Sequence, residues 1–238
     1  MSTPDPLPPL PSPLISVILP VLNDFAEAEQ LLARLPRDPR VEVIVADGGR
    51  DPALERVVRG TPGVRLIHSR PGRAIQMNAG AVDARGEWLL FLHVDSRLPG
   101  NWVDLFERAT GDARGGWFQF ALDDPSWQAR AIERGVALRV RLLRLPYGDQ
   151  GLFVRRAVFT ALGGYKEMPL LEDVEFVRRL VADGGIVELP ATLVTSARRW
   201  RRDGWLRRSA RNLLVLTLYA AGVAPERLAV LYRAPNSY

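Results

Sequence analysis

Continuous apolar runs alternate with helix-like patterns along the first half of the chain. Four runs rich in β-branched and large apolar residues are typical of strands buried on both faces, and they lie at 14–22, 41–47, 64–69 and 87–95. Apolar residues recur at helical spacing at 25–35, 73–84 and 102–109. This alternation predicts an α/β fold with a mostly parallel central sheet and helices on both faces.

The alternation is less regular after about residue 112. The pattern there predicts a strand, a basic amphipathic helix, and a turn followed by a short strand and a helix, at 115–123, 126–145 and 147–165. An acidic helix to about residue 182 is followed by two short strands, at 185–190 and 192–200. The chain from about residue 204 reads as a C-terminal helical segment.

Composition narrows the classes of protein. A chain of 238 residues with 47% hydrophobic and 25% charged residues is typical of one large globular domain or a domain with an appendage. The absence of cysteine excludes disulfides, thiolate zinc sites and cysteine nucleophiles, and agrees with a reducing cytoplasm. The net charge is +5, and Lys166 is the one lysine among 32 basic residues. Because arginine binds phosphate well, nucleotides, nucleic acid and anionic lipid stay open as partners.

Neither the chain start nor any apolar run resembles a membrane signal. Residues 1–13 are rich in proline and lack a basic start and an apolar core, so we expect a disordered arm and no secretory signal. The longest apolar candidate, 213–223, is shorter than the roughly 18 residues of a membrane span. We therefore expect a cytoplasmic protein, and the basic helix at 205–216 suggests peripheral association with the inner face of the membrane.

One polar triplet stands out at the end of a buried run. The segment FLHVDSRLPG at 91–100 places His93 two residues before Asp95. Alternate strand residues project to the same side, so the two side chains are expected to point together. Ligands of parallel sheets bind beyond the carboxyl ends of the strands, where Asp47 also lies. The structural alternative is a strand end whose polar groups bond to loop backbone.

Several familiar catalytic motifs are missing. The sequence has no G-x-x-x-x-G-K-[ST] phosphate loop, no G-x-G-x-x-G, no G-x-S-x-G and no H-E-x-x-H. What remains is a set of carboxylates at Asp47, Asp95, Glu172 and Asp173. A bound nucleotide would therefore not be held in a Walker or Rossmann manner.

Five segments in order carry a family resemblance, which covers about residues 14–200. They are SVILPVLND, VEVIVADGG, RAIQMNAGAVDARGEWLLFLHVDS, GDQGLFVRR and PLLEDVEF. The chain resembles the family 2 glycosyltransferases, and its HVDS, GDQG and TSARRW segments resemble the bacterial subgroup named for arsenosugar biosynthesis. The resemblance implies a GT-A fold and inverting transfer of a sugar from a nucleotide-diphospho-sugar, with a UDP-sugar favoured, to a small or lipid-linked acceptor.

The same resemblance implies a division of the chain and a donor site. A GT-A domain at 14–203 would comprise a nucleotide-binding half at 14–111 and an acceptor half at 112–203, followed by a helical extension at 204–238. In relatives, the residues matching Pro20 and Asp47 contact the base and ribose, and those matching Arg73 and Asn78 lie on a helix facing the nucleotide. The family's Asp-Asp-Gly-Ser is here Ala46-Asp47-Gly48-Gly49, so one carboxylate is missing.

His93-x-Asp95 stands where the family usually carries Asp-x-Asp. By that match Asp95 would bind the donor diphosphate through a divalent cation, Mn²⁺ or Mg²⁺, because a carboxylate is the hard oxygen ligand such ions prefer. His93 would be a second metal ligand, which favours manganese over magnesium. The alternative for His93 is a hydrogen bond to phosphate.

Glu172-Asp173 matches the family's Glu-Asp pair. The match makes Asp173 the general base that takes the proton from the acceptor, and it makes Glu172 a residue that orients its neighbours. The structural alternative is a helix N-terminus carrying acids that favour the helix dipole.

The acceptor side follows from two further matches. Gln150-Gly151 would help to form it, and Arg199-Trp200 resembles the family's Gln-x-x-Arg-Trp element, with Ser196 in place of Gln. That departure argues against processive polysaccharide synthesis.

Two other classes stay open from the sequence. A nucleotidyltransferase can share this fold, although its glycine-rich basic loop is replaced here by PVLND. A binding protein for a membrane surface or nucleic acid, without catalysis, is suggested by the pI of about 10.2. We favour the transferase and expect no nucleic-acid partner.

Overall fold

The computed structural model describes residues 14–35 and 37–232. The predicted arm at 1–13 and the end of the predicted extension, 233–238, lie outside the described residues. The strands are β1 (Ile15–Val21), β2 (Val41–Asp47), β3 (Val64–His68), β4 (Trp88–Phe91), β5 (Ser96–Arg97), β6 (Gly115–Leu122), β7 (Phe153–Arg155) and β8 (Ile186–Thr195). The helices are α1 (Phe25–Arg34), α2 (Pro52–Arg59), α3 (Arg73–Asp83), α4 (Trp102–Thr110), α5 (Trp127–Leu143), α6 (Arg156–Ala161), α7 (Glu172–Asp183), α8 (Arg198–Asp203), α9 (Trp205–Ala220) and α10 (Pro225–Tyr232).

In the described part of the chain, the eight strands form one sheet in the order β3-β2-β1-β4-β7-β6-β8-β5. The first four strands in this order, β3, β2, β1 and β4, pair in parallel with their neighbours, and β6 pairs in parallel with β8. The strand β7 is antiparallel to both of its neighbours, and the short edge strand β5 is antiparallel to β8. The prediction of an α/β fold with a mostly parallel sheet is confirmed.

Both faces of the sheet are covered, which explains the continuous apolar runs. Successive residues of β1 point to opposite faces, so Ile18 packs into one core cluster and Leu19 into the other. Residues from α1, α2 and α4 complete the cluster around Leu19, and residues from α3, α6 and α7 complete the cluster around Ile18. A strand covered on both faces needs apolar residues at every position.

The structure corrects one predicted strand end. The fourth strand was expected to reach Asp95, but β4 stops at Phe91. His93 and Asp95 lie in a turn, in which the Ser96 N–H donates to the His93 carbonyl oxygen at 3.1 Å. The chain turns there because β5 must then run antiparallel to β8. The two side chains therefore meet the same cavity through a turn and not through strand alternation.

Two further predictions were wrong at the C-terminal half of the sheet. The two short strands at 185–190 and 192–200 are one strand, β8, which ends at Thr195, and the residues from Arg198 begin α8. β8 contains a β-bulge and remains one strand. At the bulge, its register with β6 shifts between Phe118 and Gln119 of β6. The bulge lies where Pro190 interrupts the apolar pattern, and proline is tolerated in sheets at such irregularities.

The helix α2 was not predicted. Its N-cap is Asp51, whose carboxylate accepts the Ala53 N–H at 2.8 Å, and Pro52 occupies its first position. Both are standard features of a helix start. Among the helices that the structure describes, none combines the length and the apolarity needed to cross a bilayer.

Candidate active site

A polar cavity of about 140 Å³ lies beside the turn that follows β4. The sequence-predicted residues that the structure brings together in its wall are Arg73, His93, Asp95, Asp173, Arg199 and Trp200. Residues of α9 close one side, among them Asn212 and Leu216. The cavity wall therefore draws residues from sequence positions as distant as Arg73 on α3 and Tyr232 on α10.

Asp95 is one of the three carboxylates, with Asp149 and Asp173, that line the cavity. Its side chain is 10% exposed, and the Arg199 Nη2 atom lies 4.0 Å from its Oδ2 atom. No residue that the structure describes donates a hydrogen bond to this carboxylate. The lone pairs of both oxygens are therefore available to a ligand.

His93 is uncharged at neutral pH. Burial in the cavity wall lowers the pKa of His93 to about 4, and the positive charge of Arg73 acts in the same direction. A neutral imidazole has one ring nitrogen with a free lone pair, which is the form that binds a metal ion or accepts a hydrogen bond.

The Asp173 carboxylate is fixed by two backbone donors. Its Oδ2 atom accepts the Gly148 N–H at 2.8 Å, and its Oδ1 atom accepts the Val174 N–H at 2.9 Å. The Arg73 Nη2 atom lies 4.0 Å from Oδ1. Each carboxylate oxygen keeps a second lone pair. The carboxylate is therefore held in position and can still accept a further hydrogen bond.

Gly148 allows two of the cavity side chains to converge. A Cβ atom at this position would lie 3.0 Å from the Oδ2 atom of Asp173 and 3.2 Å from the Nε2 atom of His93. Both approaches are closer than ordinary van der Waals contact, so a larger residue would push the side chains apart. The absence of a side chain at Gly148 therefore lets Asp173 and His93 approach this turn closely.

Glu172 supports the site from behind the cavity wall. It is 2% exposed, accepts a hydrogen bond from the Arg73 Nε atom and forms an ion pair with the same guanidinium group. The preceding Leu171 has a φ of 67°, a left-handed conformation that costs a leucine about 1–3 kcal/mol. This turn directs the first residues of α7 towards α3. Glu172 thus orients Arg73, as its predicted role as an orienting residue requires.

Asp149 lines the cavity, although the sequence analysis assigned it no role. Its Oδ1 atom is buried and has no hydrogen-bond partner among the described residues. Burial raises the pKa of Asp149 to about 6. The signal available in the sequence was an acid between two glycines in GDQG, but the pattern does not reveal which of its polar side chains faces the cavity.

Gln150 and Gly151 do not line this cavity, and their predicted place on the acceptor side stays a prediction. Gln150 is 2% exposed: its Oε1 atom accepts from Arg139 at 3.1 Å and its Nε2 atom donates to the Phe118 carbonyl oxygen at 3.4 Å. Gly151 has a φ of 60° and packs against Phe118. Together they fix the turn that presents Asp149.

Asp47 is covered by the loop that follows it. The residue is 1% exposed, and its two carboxylate oxygens accept three backbone N–H groups from Gly49, Arg50 and Asp51 at 2.7–3.0 Å. Pro20 lies one register position away on β1 and is partly buried. Asp47 therefore shapes this loop, and its predicted contact with the nucleotide stays a prediction.

Asn78 has a structural partner that the sequence did not suggest. Its Nδ2 atom donates to the Tyr165 carbonyl oxygen at 2.8 Å, and its Oδ1 atom accepts the Tyr165 N–H at 2.9 Å. The amide thus ties α3 to the segment before α7. It does not line this cavity, and its predicted nucleotide contact stays a prediction.

The family resemblance implies a divalent cation, and the cavity can be tested for it. Within 14–35 and 37–232, no cluster of three or more His, Cys, Asp or Glu side chains is arranged to hold a metal ion. A Mg²⁺ ion bound with a nucleotide takes only one or two protein carboxylates, because the phosphates supply further oxygens. Asp95, with its available lone pairs, fits that mode, and the neutral His93 ring fits a manganese ligand.

Comparison with known proteins identifies the family of this chain. A family profile described as Glycosyl transferase family 2 matches residues 16–138. The chain belongs to glycosyl transferase family 2. The match includes His93 and Asp95 and ends within α5, so Asp149 and Asp173 lie beyond it. No curated protein matches the chain.

Solved structures of S. aureus TarS, residues 1–349, share the fold. The structure without ligand superimposes with a TM-score of 0.60 at 17% identity, covering 77% of this chain and 60% of that one. The complexes of TarS with UDP and with UDP-GlcNAc give the same TM-score of 0.60 and identity of 17%, and cover 76% of this chain. The family 2 chain thus has the GT-A fold and spans about 60% of the length of these structures.

Proposed function

We propose that this family 2 chain transfers a sugar from a UDP-sugar to an acceptor with inversion, assisted by a divalent cation. The observation that carries the proposal is the convergence of Asp95, His93 and Asp173 on one cavity. TarS binds UDP and UDP-GlcNAc in its solved complexes, which supports the same class of donor here. Family membership favours this reaction over the nucleotidyltransferase and the non-catalytic binding protein.

Asp173 is the general base in this proposal. Its carboxylate takes the proton of the acceptor group as that atom attacks the anomeric carbon, so the bond to the acceptor forms while the bond to the diphosphate oxygen breaks. Attack opposite the leaving group inverts the anomeric centre. The backbone N–H groups of Gly148 and Val174 keep the carboxylate oriented for this step.

The leaving diphosphate requires positive charge. Arg73 and Arg199 line the cavity and supply part of it. Asp95, with His93 beside it, would hold the divalent cation, and the cation would offset the negative charge that develops on the departing diphosphate. Glu172 keeps Arg73 in place through their ion pair.

A thermal-shift experiment tests the proposal. UDP or UDP-GlcNAc with Mn²⁺, at about 100 times its Kd, is expected to stabilise the protein by about 2.7 kcal/mol. For a domain of this size that corresponds to about 5–11 °C in Tm. The variant Asp95→Asn should lose most of the shift, and Asp104→Asn, which alters an exposed acid on α4, should keep it. If neither UDP nor any other nucleoside diphosphate shifts Tm at millimolar concentration with Mn²⁺ present, the proposal is wrong.

A further inference from the structure

A large apolar groove lies between α5 and α9. Its volume is about 1220 Å³, beyond the range of a typical small-molecule pocket of about 300–1,000 Å³. The side chains that line it include Trp127, Leu138, Leu142 and Leu213, which are 56–73% exposed. Exposed leucines grouped on two facing helices form an apolar patch of the kind that marks a ligand-binding groove, a membrane-binding surface or a protein interface.

The groove is continuous with the catalytic cavity. Five residues line both: Tyr147, Asp149, Trp200, Asn212 and Leu216. The polar members lie on the cavity side, and the leucines of α5 and α9 continue away from it. A molecule with a polar head and a long apolar tail could therefore occupy both at once, with its head beside Asp149.

Three arginines line the groove, Arg139, Arg178 and Arg207, and of these Arg178 and Arg207 are exposed. Helix α9 contains no acidic residue. This charge complements an anionic head group or the anionic part of an amphiphile.

We propose that the groove binds the aliphatic chain of an amphiphilic, anionic acceptor and so delivers the acceptor's head group to Asp173. The inference rests on the proposed transferase function and names its acceptor class. Binding energy from the remote chain would position the reacting head group in the cavity, as enzymes commonly use parts of a substrate far from the reacting centre.

The first experiment measures chain-length dependence. Hexyl, octyl, decyl and dodecyl phosphate, each below its micelle concentration, compete with a dansyl-labelled fatty acid for the protein. Burial of each methylene is expected to raise affinity about fourfold. Affinity that does not depend on chain length, or equal binding of inorganic phosphate, would overturn the inference.

Matched variants locate the binding. The double variant Leu138→Gln/Leu213→Gln changes two exposed groove residues on facing helices and should weaken dodecyl phosphate binding at least about tenfold, since several buried methylenes lose apolar contact. Leu214→Gln is the control: its side chain is 56% exposed, next to Leu213, but does not line the groove. Equal losses in both variants would refute the assignment.

Further readouts separate this inference from its rivals. UDP binding measured on the same variants should be unchanged; if UDP binds but no alkyl phosphate does, the groove inference fails and the proposed function stands. If alkyl phosphates bind but no nucleotide does, the acceptor role fails together with the proposed function. Binding to anionic vesicles but not to monomeric alkyl phosphate would assign the groove to a membrane surface. A dimer abolished only by the groove variant in sedimentation velocity would assign it to self-association.

Discussion

Replacing Asp173 by asparagine separates the catalytic and structural roles of this residue. Both carboxylate oxygens accept a backbone N–H, from Gly148 at 2.8 Å and from Val174 at 2.9 Å. An asparagine keeps one acceptor oxygen, and its NH₂ group faces the other N–H. One buried N–H is then unpaired, which costs about 1–3 kcal/mol.

That cost is larger than the effect of the helix dipole alone, which is about 0.3–1 kcal/mol. We expect Asp173→Asn to lower Tm by about 2–12 °C, from about 2–4 °C per kcal/mol for a domain of this size. Sugar transfer should fall by about 10²–10⁴-fold, because the basic oxygen is lost. The affinity for UDP should stay near that of the wild type.

The matched control is Glu175→Gln on the same helix turn. Glu175 forms ion pairs with Lys166 and Arg179 and does not line the cavity, so this variant should lose stability but keep transfer. Melting temperature, UDP affinity by calorimetry and transfer rate are measured on both variants. A folded, UDP-binding Asp173→Asn protein that transfers sugar at the normal rate would remove Asp173 as the base and point to Asp149.

Four further variants test the remaining assignments. Asp95→Ala should abolish cation-dependent UDP binding in calorimetry. His93→Ala should weaken this binding and change the preference between Mn²⁺ and Mg²⁺. Unchanged UDP affinity in both variants would mean that the turn has a purely structural role. Gly148→Ala places a methyl group 3.0 Å from the Asp173 carboxylate. Transfer should therefore fall about 10–100-fold with an unaltered circular dichroism spectrum. Normal transfer would show that the site tolerates a side chain at this position. Asn78→Ala should lower the free energy of unfolding, measured with urea, by about 1–3 kcal/mol and keep the affinity for UDP. A selective loss of UDP binding would instead support the predicted nucleotide contact of Asn78.

The positions of the strands could be predicted because burial on both faces leaves a direct mark on the sequence. β1, β2 and β4 are mostly apolar for this reason, and the carboxylates Asp47 and Asp95 fall at the edge where ligands bind. The position of Asp95 could therefore be predicted from the sequence pattern and the family resemblance. The same holds for Asp173 at the start of α7. These predictions depend on local order along the chain, which the sequence carries.

The roles of Asp149 and Gln150 could not be predicted in the same way. Within a tight turn, adjacent side chains point in directions that depend on what packs against the turn. Gln150 faces Arg139 and the Phe118 carbonyl oxygen, both brought there by β6 and α5, and Asp149 is left facing the cavity. Asp47 illustrates a related point, because the loop that covers its carboxylate is held by backbone N–H groups that carry no sequence signature.

The place of β7 in the sheet has a consequence for synthesis of the chain. β7 (Phe153–Arg155) is made late, yet it pairs with β4 on one side and β6 on the other. Until it leaves the ribosome, the nascent sheet ends at β4, an apolar strand with an unpaired edge of the kind that recruits other strands. β4 therefore gains its partner only after the turn that carries Asp149 has emerged, and the sheet and the cavity are completed later, with β8 (Ile186–Thr195) and with Asp173, Arg199 and the residues of α9.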